Sequence, residues 1–341
     1  MLSDRRQRVL AALIEEYVSK AIPVGSRTLT ERYQLGVSPA TVRNELSYLE
    51  DGGYISQPHT SAGRIPTDFG YRTFVDGILA SGLAESDPRY EQVADDLRAN
   101  ARELDTLLEQ TSAALARMTS NLSIVLAPSV MSLHVRQITL VSLSLRRGLV
   151  ILVTEDGQVI NRQMEFGFDV DAESLAFVQG ILNDALVGTS LQDIENGLCV
   201  SLNAAFGNPV LRTVLTEVVE CLRQTVGDSG LAHSHRIGMS ALLAQPEFAQ
   251  SQAVVPLIQV LEDDTVLLQL LDEAANGENG APSVRIGAEN GSAGLSGVSV
   301  VASRYGHGDQ AGVVAVIGPT RMDYSKVIKA VRAASSALRD V

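Results

Sequence analysis

Arg43 and Asn44 are neighbours in the chain, and their side chains are well matched to the edges of base pairs. A guanidinium can form a bidentate pair with guanine and a carboxamide can do the same with adenine, each worth about 1–3 kcal/mol of base discrimination. Just ahead of them, Ser38 and Thr41 suit phosphate contacts made from a helix N-terminus, which position a protein on a duplex without reading its sequence. Further along, His59, Thr60, Ser61 and Arg64 make a polar, Arg-bearing stretch that can reach a minor groove or a backbone. Ser26 and Arg27, at the start of the preceding helix, complete the candidate set. Arg5, Arg6 and Arg8 either add phosphate contacts or form an ordinary solvated face. The same arrangement can also serve protein recognition, because a fold does not dictate its partner.

These residues need a rigid frame, and the local signals supply one. Val9, Leu10, Leu13, Ile14, Tyr17 and Val18 recur at helical spacing, which predicts a first helix over 3–19 capped by Ser3. Pro23 and Gly25 break it, and a second helix is expected from Ser26, as its N-cap, to Tyr33 before Gly36. Ser38-Pro39 then reads as a cap followed by proline at the first helical position, where the missing N–H costs nothing. In this third helix Val42, Leu46 and Leu49 form a buried stripe that leaves Arg43 and Asn44 on another face. Gly52-Gly53 ends it, and Tyr54-Ile55 begins a small hairpin whose polar turn runs from His59 to Arg64. Three helices and a hairpin are the order of a winged helix-turn-helix, whose third helix enters the major groove.

Charge supports that placement by its distribution. The 341-residue chain has a formal net charge of −13, yet residues 1–80 hold nine Arg/Lys against nine Asp/Glu and are neutral. The whole excess lies downstream, so an acidic body would repel phosphate and leave DNA contact to the first segment. Hydrophobic residues make up 45% of the chain and its mean hydropathy is +0.11, enough for two or three cores and pointing to limited solubility or a large buried interface. The charged start Asp4-Arg5-Arg6 has no apolar stretch behind it, as a signal peptide would need. Apolar runs such as Leu149 to Val153 are too short to span a membrane, so a cytoplasmic chain is expected.

A continuous amphipathic helix is predicted over 88–122, because Leu97, Ala101, Leu104, Leu108, Thr111, Leu115, Met118 and Leu122 alternate steps of four and three. Such a seam serves either packing on the chain's own body, or dimerisation or coupling between domains. Strand patterns follow at 134–145, 148–154 and 158–166, then helices at 171–187, 190–203 and 209–226. A strand at 236–243, a helix at 253–273, strands at 284–286, 298–303 and 312–317, and a helix at 323–339 complete the chain. The glycines between 277 and 297 mark loop. Strands at both ends with helices between them predict an α+β class with an inserted helical domain.

Cys199 and Cys221 have no metal-ligand spacing and read as buried free thiols. His233 and His235 alternate as on a strand face, without a supporting carboxylate or cysteine, and Glu262-Asp263-Asp264 reads as a solvated helix face. No nucleophile elbow, phosphate loop, dinucleotide fingerprint or zinc-hydrolase motif occurs. Neither an enzyme nor a cofactor is expected.

The N-terminal segment resembles the HrcA family of bacterial heat-inducible transcription repressors. The matching residues are Asp4-Arg5-Arg6, Pro23-Val24-Gly25-Ser26, Val37-Ser38-Pro39-Ala40-Thr41-Val42-Arg43-Asn44, Gly53-Tyr54, His59-Thr60-Ser61-Ala62-Gly63-Arg64-Ile65-Pro66-Thr67 and Gly70-Tyr71-Arg72. The likeness resumes at Gln245-Pro246-Glu247-Phe248, Ile286-Gly287-Ala288-Glu289-Asn290, Ala302-Ser303-Arg304-Tyr305-Gly306 and Ile317-Gly318-Pro319-Thr320-Arg321-Met322-Asp323-Tyr324. The resemblance implies a winged helix over 1–75, a linking helical segment over 76–125, and a GAF-like domain over 126–170 and 245–341. A dimerising domain would be inserted at 171–244. It also implies a homodimer on double-stranded DNA at an inverted repeat upstream of chaperone operons, dependence on the GroE chaperonin, and loss of repression on heat stress. Glu289, Asn290, Tyr305, Thr320 and Arg321 read as structural loop residues.

Overall fold

The structure, a computed structural model, describes residues 2–59, 62–81, 88–127, 133–155, 157, 159–195, 209–229, 234–249, 251–275, 281–291, 293–306 and 311–339, apart from 101–103. The fold is α+β, in two compact units. One holds residues 1–126, 235–306 and 313–341, and the other holds 127–234 and 307–312.

The first unit begins with the expected helices α1 (Asp4–Lys20), α2 (Ser26–Arg32) and α3 (Pro39–Asp51). A two-stranded antiparallel hairpin, β1 (Ile55–Ser56) and β2 (Ile65–Pro66), and α4 (Asp68–Ala80) complete this head. Val9, Leu10, Leu13 and Ile14 of α1 are buried with Leu29 of α2 and Val42, Leu46 and Leu49 of α3. Two caps differ from expectation. Ser3 holds the cap position of α1 without a side-chain bond, and Gly25 caps α2, so Ser26 is already helical.

The single helix expected over 88–122 is two, α5 (Pro88–Asn100) and α6 (Leu104–Thr119), followed by strand β3 (Leu122–Leu126). Leu97 of α5 and Leu115 and Met118 of α6 line one small gap together with Ala330, Ala333 and Ala334. In a straight helix Leu97 and Met118 would stand about 30 Å apart. The chain therefore folds back, and the apolar seam closes on itself and on the body rather than extending as a coiled coil.

In the second unit strands β4 (Val135–Ser144), β5 (Arg147–Thr154) and β6 (Val159–Glu165) form an antiparallel sheet in that order. With helices α7 (Ala172–Leu186), α8 (Leu191–Glu195) and α9 (Pro209–Ser229), they bury Ile138, Val150, Leu152, Val178, Leu182, Val218 and Leu222 in one core. The boundary expected near 171 thus lies at 127, because these strands pair with one another and pack on the helices that follow them. Asn183 of α7 covers the edge of β4, accepting from Ile138 N at 2.9 Å and donating to Ile138 O at 2.7 Å. That satisfies an edge which would otherwise invite another strand.

The chain then completes the first unit. Strand β7 (Ser234–Ile237) precedes helix α10 (Met239–Leu243); the expected strand over 236–243 stops early because Gly238, at φ 104°, turns the backbone. The expected helix over 253–273 is split into α11 (Ser251–Glu262) and α12 (Asp264–Ala274). Asp263 causes the break, since its carboxylate accepts from Val266 N at 3.1 Å and so begins a new helix. This residue, read as solvated surface, is a cap. Strands β8 (Ser283–Ile286), β9 (Val298–Tyr305) and β10 (Gly312–Pro319) and helix α13 (Tyr324–Ala337) follow. The sheet order is β7-β3-β10-β9-β8. Strand β10 is buried along its whole length. Val313, Ala315 and Ile317 join a core with Leu257, Leu267 and Leu271. Alternation sends Val314 and Val316 to the opposite face, where α13 and α6 pack on the sheet.

Candidate nucleic-acid interface

The N-terminus of α3 is built as the sequence requires. Ser38 Oγ accepts from Thr41 N at 3.2 Å and lies 3.0 Å from Thr41 Oγ1, with Pro39 at the first turn. Val42, Leu46 and Leu49 hold one face of the helix in the core. The opposite face exposes Ala40, Arg43, Asn44 and Ser47, spaced i, i+3, i+4 and i+7 so that they share one stripe. Among the described residues neither Arg43 nor Asn44 has a side-chain hydrogen bond or ion pair. Ser47, off the apolar period of Val42, Leu46 and Leu49, shares this stripe.

Other cations are engaged. Arg5 and Arg6 both pair with Glu45, at 2.7 and 3.0 Å, and Arg6 lies over the Tyr48 ring, 3.4 Å from its centre. Arg8 donates to Gln34 O at 3.0 Å. These three arginines tie α1 to the rest of the head. Arg64 likewise turns back to Glu50 of α3, at 2.9 Å, and braces the hairpin against that helix. Arg27 is fully exposed and pairs with Glu31 one turn on; Ser26 is half-buried and His59 exposed. Thr60 and Ser61 lie outside the described residues.

The hairpin is fixed at its base by two backbone bonds, Val24 N to Arg64 O at 2.9 Å and Arg64 N to Val24 O at 2.8 Å. Gly63 makes this approach possible, because a Cβ there would overlap the backbone of Val24.

Glu45 offers a pH test of the frame. Burial disfavours its charge, but hydrogen bonds from Arg6 and Arg5 outweigh this and hold its pKa below the usual 4.5. A lowered folded-state pKa stabilises fully above the unfolded value, and that gain is lost as pH falls through the folded one. The wild type should therefore resist denaturant better than Glu45→Gln at about pH 6, with the gap closing below about pH 4. A gap unchanged across that range would show that the charge on Glu45 contributes nothing.

Elsewhere, His235 Nε2 lies 2.9 Å from Asp105 Oδ1, while His233 lies outside the described residues. Cys221 is free and buried, and burial raises its thiol pKa; Cys199 also lies outside. Among the described residues no cluster of His, Cys, Asp or Glu could hold a metal ion, and no helix is long and apolar enough to cross a membrane.

Residues 105–328 match the family described as the HrcA protein C-terminal domain. The heat-inducible transcription repressor HrcA of Streptomyces avermitilis is 40% identical over 334 residues, covering 98% of this chain and 96% of its own. Its namesake in Nocardioides sp. is 39% identical over the same length and coverage. Among solved structures, one described as a hypothetical protein at 2.2 Å resolution aligns over 99% of this chain and 98% of its own. Its TM-score is 0.65 at 24% identity, which shows a shared fold. With a profile covering most of the chain and close relatives along nearly all of it, the chain belongs to the HrcA family.

Proposed function

We propose that the chain is a transcription repressor of heat-shock chaperone genes whose head is a winged helix-turn-helix. The observation that carries this is the unpartnered Arg43-Asn44 pair on the exposed stripe of a helix that is capped at its N-terminus and buried along its opposite face. In the major groove Arg43 and Asn44 read bases, while Ser38 and Thr41 take phosphate through the helix N-terminus. His59, Thr60 and Ser61 in the wing, with Ser26 and Arg27 on α2, flank that contact. Arg64 acts indirectly, as a brace of the wing.

A homodimer on an inverted repeat completes the reading, one head to each half-site. The outer face of the β4-β5-β6 sheet supports a second copy. Val141, Leu143 and Val159 are exposed there, and alternation puts Leu149, Ile151 and Val153 on the same face. An aliphatic sheet face of this kind fits an isologous interface between copies of the inserted unit. The rest of the body, a sheet between helix layers, is read as the GAF-like domain. Repression takes place in the cytoplasm and depends on the GroE chaperonin. Heat-damaged proteins compete for that chaperonin, and repression is then lost. The apolar composition and the exposed sheet face suit a chain that needs help to fold.

Fluorescence anisotropy on a labelled inverted repeat from upstream of a chaperonin operon tests the proposal, with a scrambled duplex and a single half-site at one salt concentration. Tight binding to the full repeat alone is the expected result. Equal binding to all three duplexes, by protein refolded with chaperonin, would refute it.

A second reading adds a small-molecule effector. It draws on a cavity of about 570 Å³ lined by Ile14, Glu15, Phe74, Tyr90, Lys326 and Lys329, among others. A rise in thermal stability with a defined small molecule at modest concentration would favour it.

A further inference from the structure

Two arginines that touch no part of the exposed α3 stripe join the head to the body. Arg321, in the turn between β10 and α13, is only 11% exposed at its side chain. It donates to both oxygens of Glu247, at 2.5 and 3.3 Å, and to the carbonyl of Val18 near the end of α1, at 2.5 Å. Arg72, on α4, reaches the other way: it pairs with Glu289 through both carboxylate oxygens and donates to Val284 O. Beside it, Asp68 accepts from Ala288 N at 3.2 Å. Gly287, at φ 53°, leaves room for that contact, since a Cβ there would run into the Asp68 carboxylate. Between the two arginines Tyr71 packs on Tyr324, with ring centres 5.6 Å apart.

The route onward to the reading helix is short. Helix α1 is gripped by Arg321 near one end and, through Arg5 and Arg6 near the other, grips Glu45 of α3. Helix α4 passes so close to Tyr54, just beyond α3, that a Cβ on Gly70 would overlap the Tyr54 carbonyl. Moving α3 relative to the body therefore requires breaking charge-assisted hydrogen bonds, partly buried at Arg321 and more open at Arg72, rather than bending a loop.

We infer that Arg321 and Arg72 are positioning residues for operator reading: they hold the head in one orientation on the body, and so set the separation of half-sites that a dimer accepts. The inference rests on the paired-head reading above. A head fixed to its body fits one spacing. A head released onto a tether can still reach both half-sites by effective concentration, but no longer prefers one spacing. The two roles differ in what they predict, because fixing orientation leaves each half-site contact unchanged.

The test compares wild type, Arg321→Ala and Glu289→Gln on three duplexes at one salt concentration: the inverted repeat, the repeat with about five base pairs added between its halves, and a single half-site. Half a helical turn places the second site on the opposite face of the duplex. The wild type should prefer the native spacing by at least about 100-fold. In both variants that preference should fall by at least about tenfold, with half-site affinity kept within about twofold. Glu289→Gln leaves Arg321 in place and is the milder change, so it serves if Arg321→Ala fails to fold by circular dichroism. Undiminished spacing preference in a folded variant overturns the inference, as does an equal loss on all three duplexes. A wild type that binds the three duplexes alike removes the paired-head reading, and the inference with it.

Discussion

Arg43→Ala is expected to weaken binding to the specific duplex by about 1–3 kcal/mol, or about five- to 150-fold, while relaxing selectivity at one base position. Arg43 is exposed and, among the described residues, has no intramolecular partner, so the loss falls on the interface and not on the fold. Stability should stay within about 0.5 kcal/mol of wild type. Asn44→Ala should behave in the same way at a different, adenine-bearing position, because the carboxamide pairs with another base edge. Anisotropy titrations on a set of singly substituted duplexes at constant salt read both effects. A uniform loss over all sequences would place Arg43 on phosphate and overturn its assignment to a base.

The largest loss of stability should come from Tyr324, at the start of α13 just after the turn that follows β10. Its side chain is fully buried, and its hydroxyl lies 2.8 Å from Ser299 Oγ and donates to Thr320 O at 2.7 Å. Burial raises the phenol pKa well above the usual 10, so it remains a neutral donor. Tyr324→Ala should cost about 3–5 kcal/mol through the lost ring and the cavity left behind. At about 2–4 °C per kcal/mol for a body of this size, its melting temperature should drop by about 6–20 °C. Tyr324→Phe keeps the ring and strands Ser299 and the Thr320 carbonyl, which should cost about 1–3 kcal/mol. Melting curves for the two variants separate ring from hydroxyl; a phenylalanine variant melting with the wild type would show the hydroxyl idle. Four residues of the run from Gly318 to Tyr324 are thus explained by contact. Gly318 leaves room for Asn121, Arg321 grips α1, Asp323 caps α13 through Lys326 N at 3.0 Å, and Tyr324 closes the core.

What the sequence determined by itself was set within a few residues. The three head helices, the Ser38-Pro39 cap and the stripe of Val42, Leu46 and Leu49 follow from local capping and a 3.6-residue period. So did the separation of Arg43 and Asn44 from the core. Breaks set by one polar contact were misread. Asp263 ends one helix and begins the next, and nothing in the apolar period shows it, because the stripe continues on both sides. The seam over 88–122 failed for a related reason: its period is compatible with a straight helix and with a hairpin, and only packing against α13 distinguishes them.

The tertiary structure alone decided which charges remain free. Arg5, Arg6, Arg64 and Arg43 are equally basic in the sequence, yet the first three are paired, Arg5 and Arg6 sharing Glu45 and Arg64 taking Glu50. Their partners lie 40, 39 and 14 residues away in the chain, beyond the reach of any local pattern. Arg72 and Arg321 meet Glu289 and Glu247 across 217 and 74 residues. Ion pairs depend on distance in space, and the chain brings those groups together only after its cores have formed.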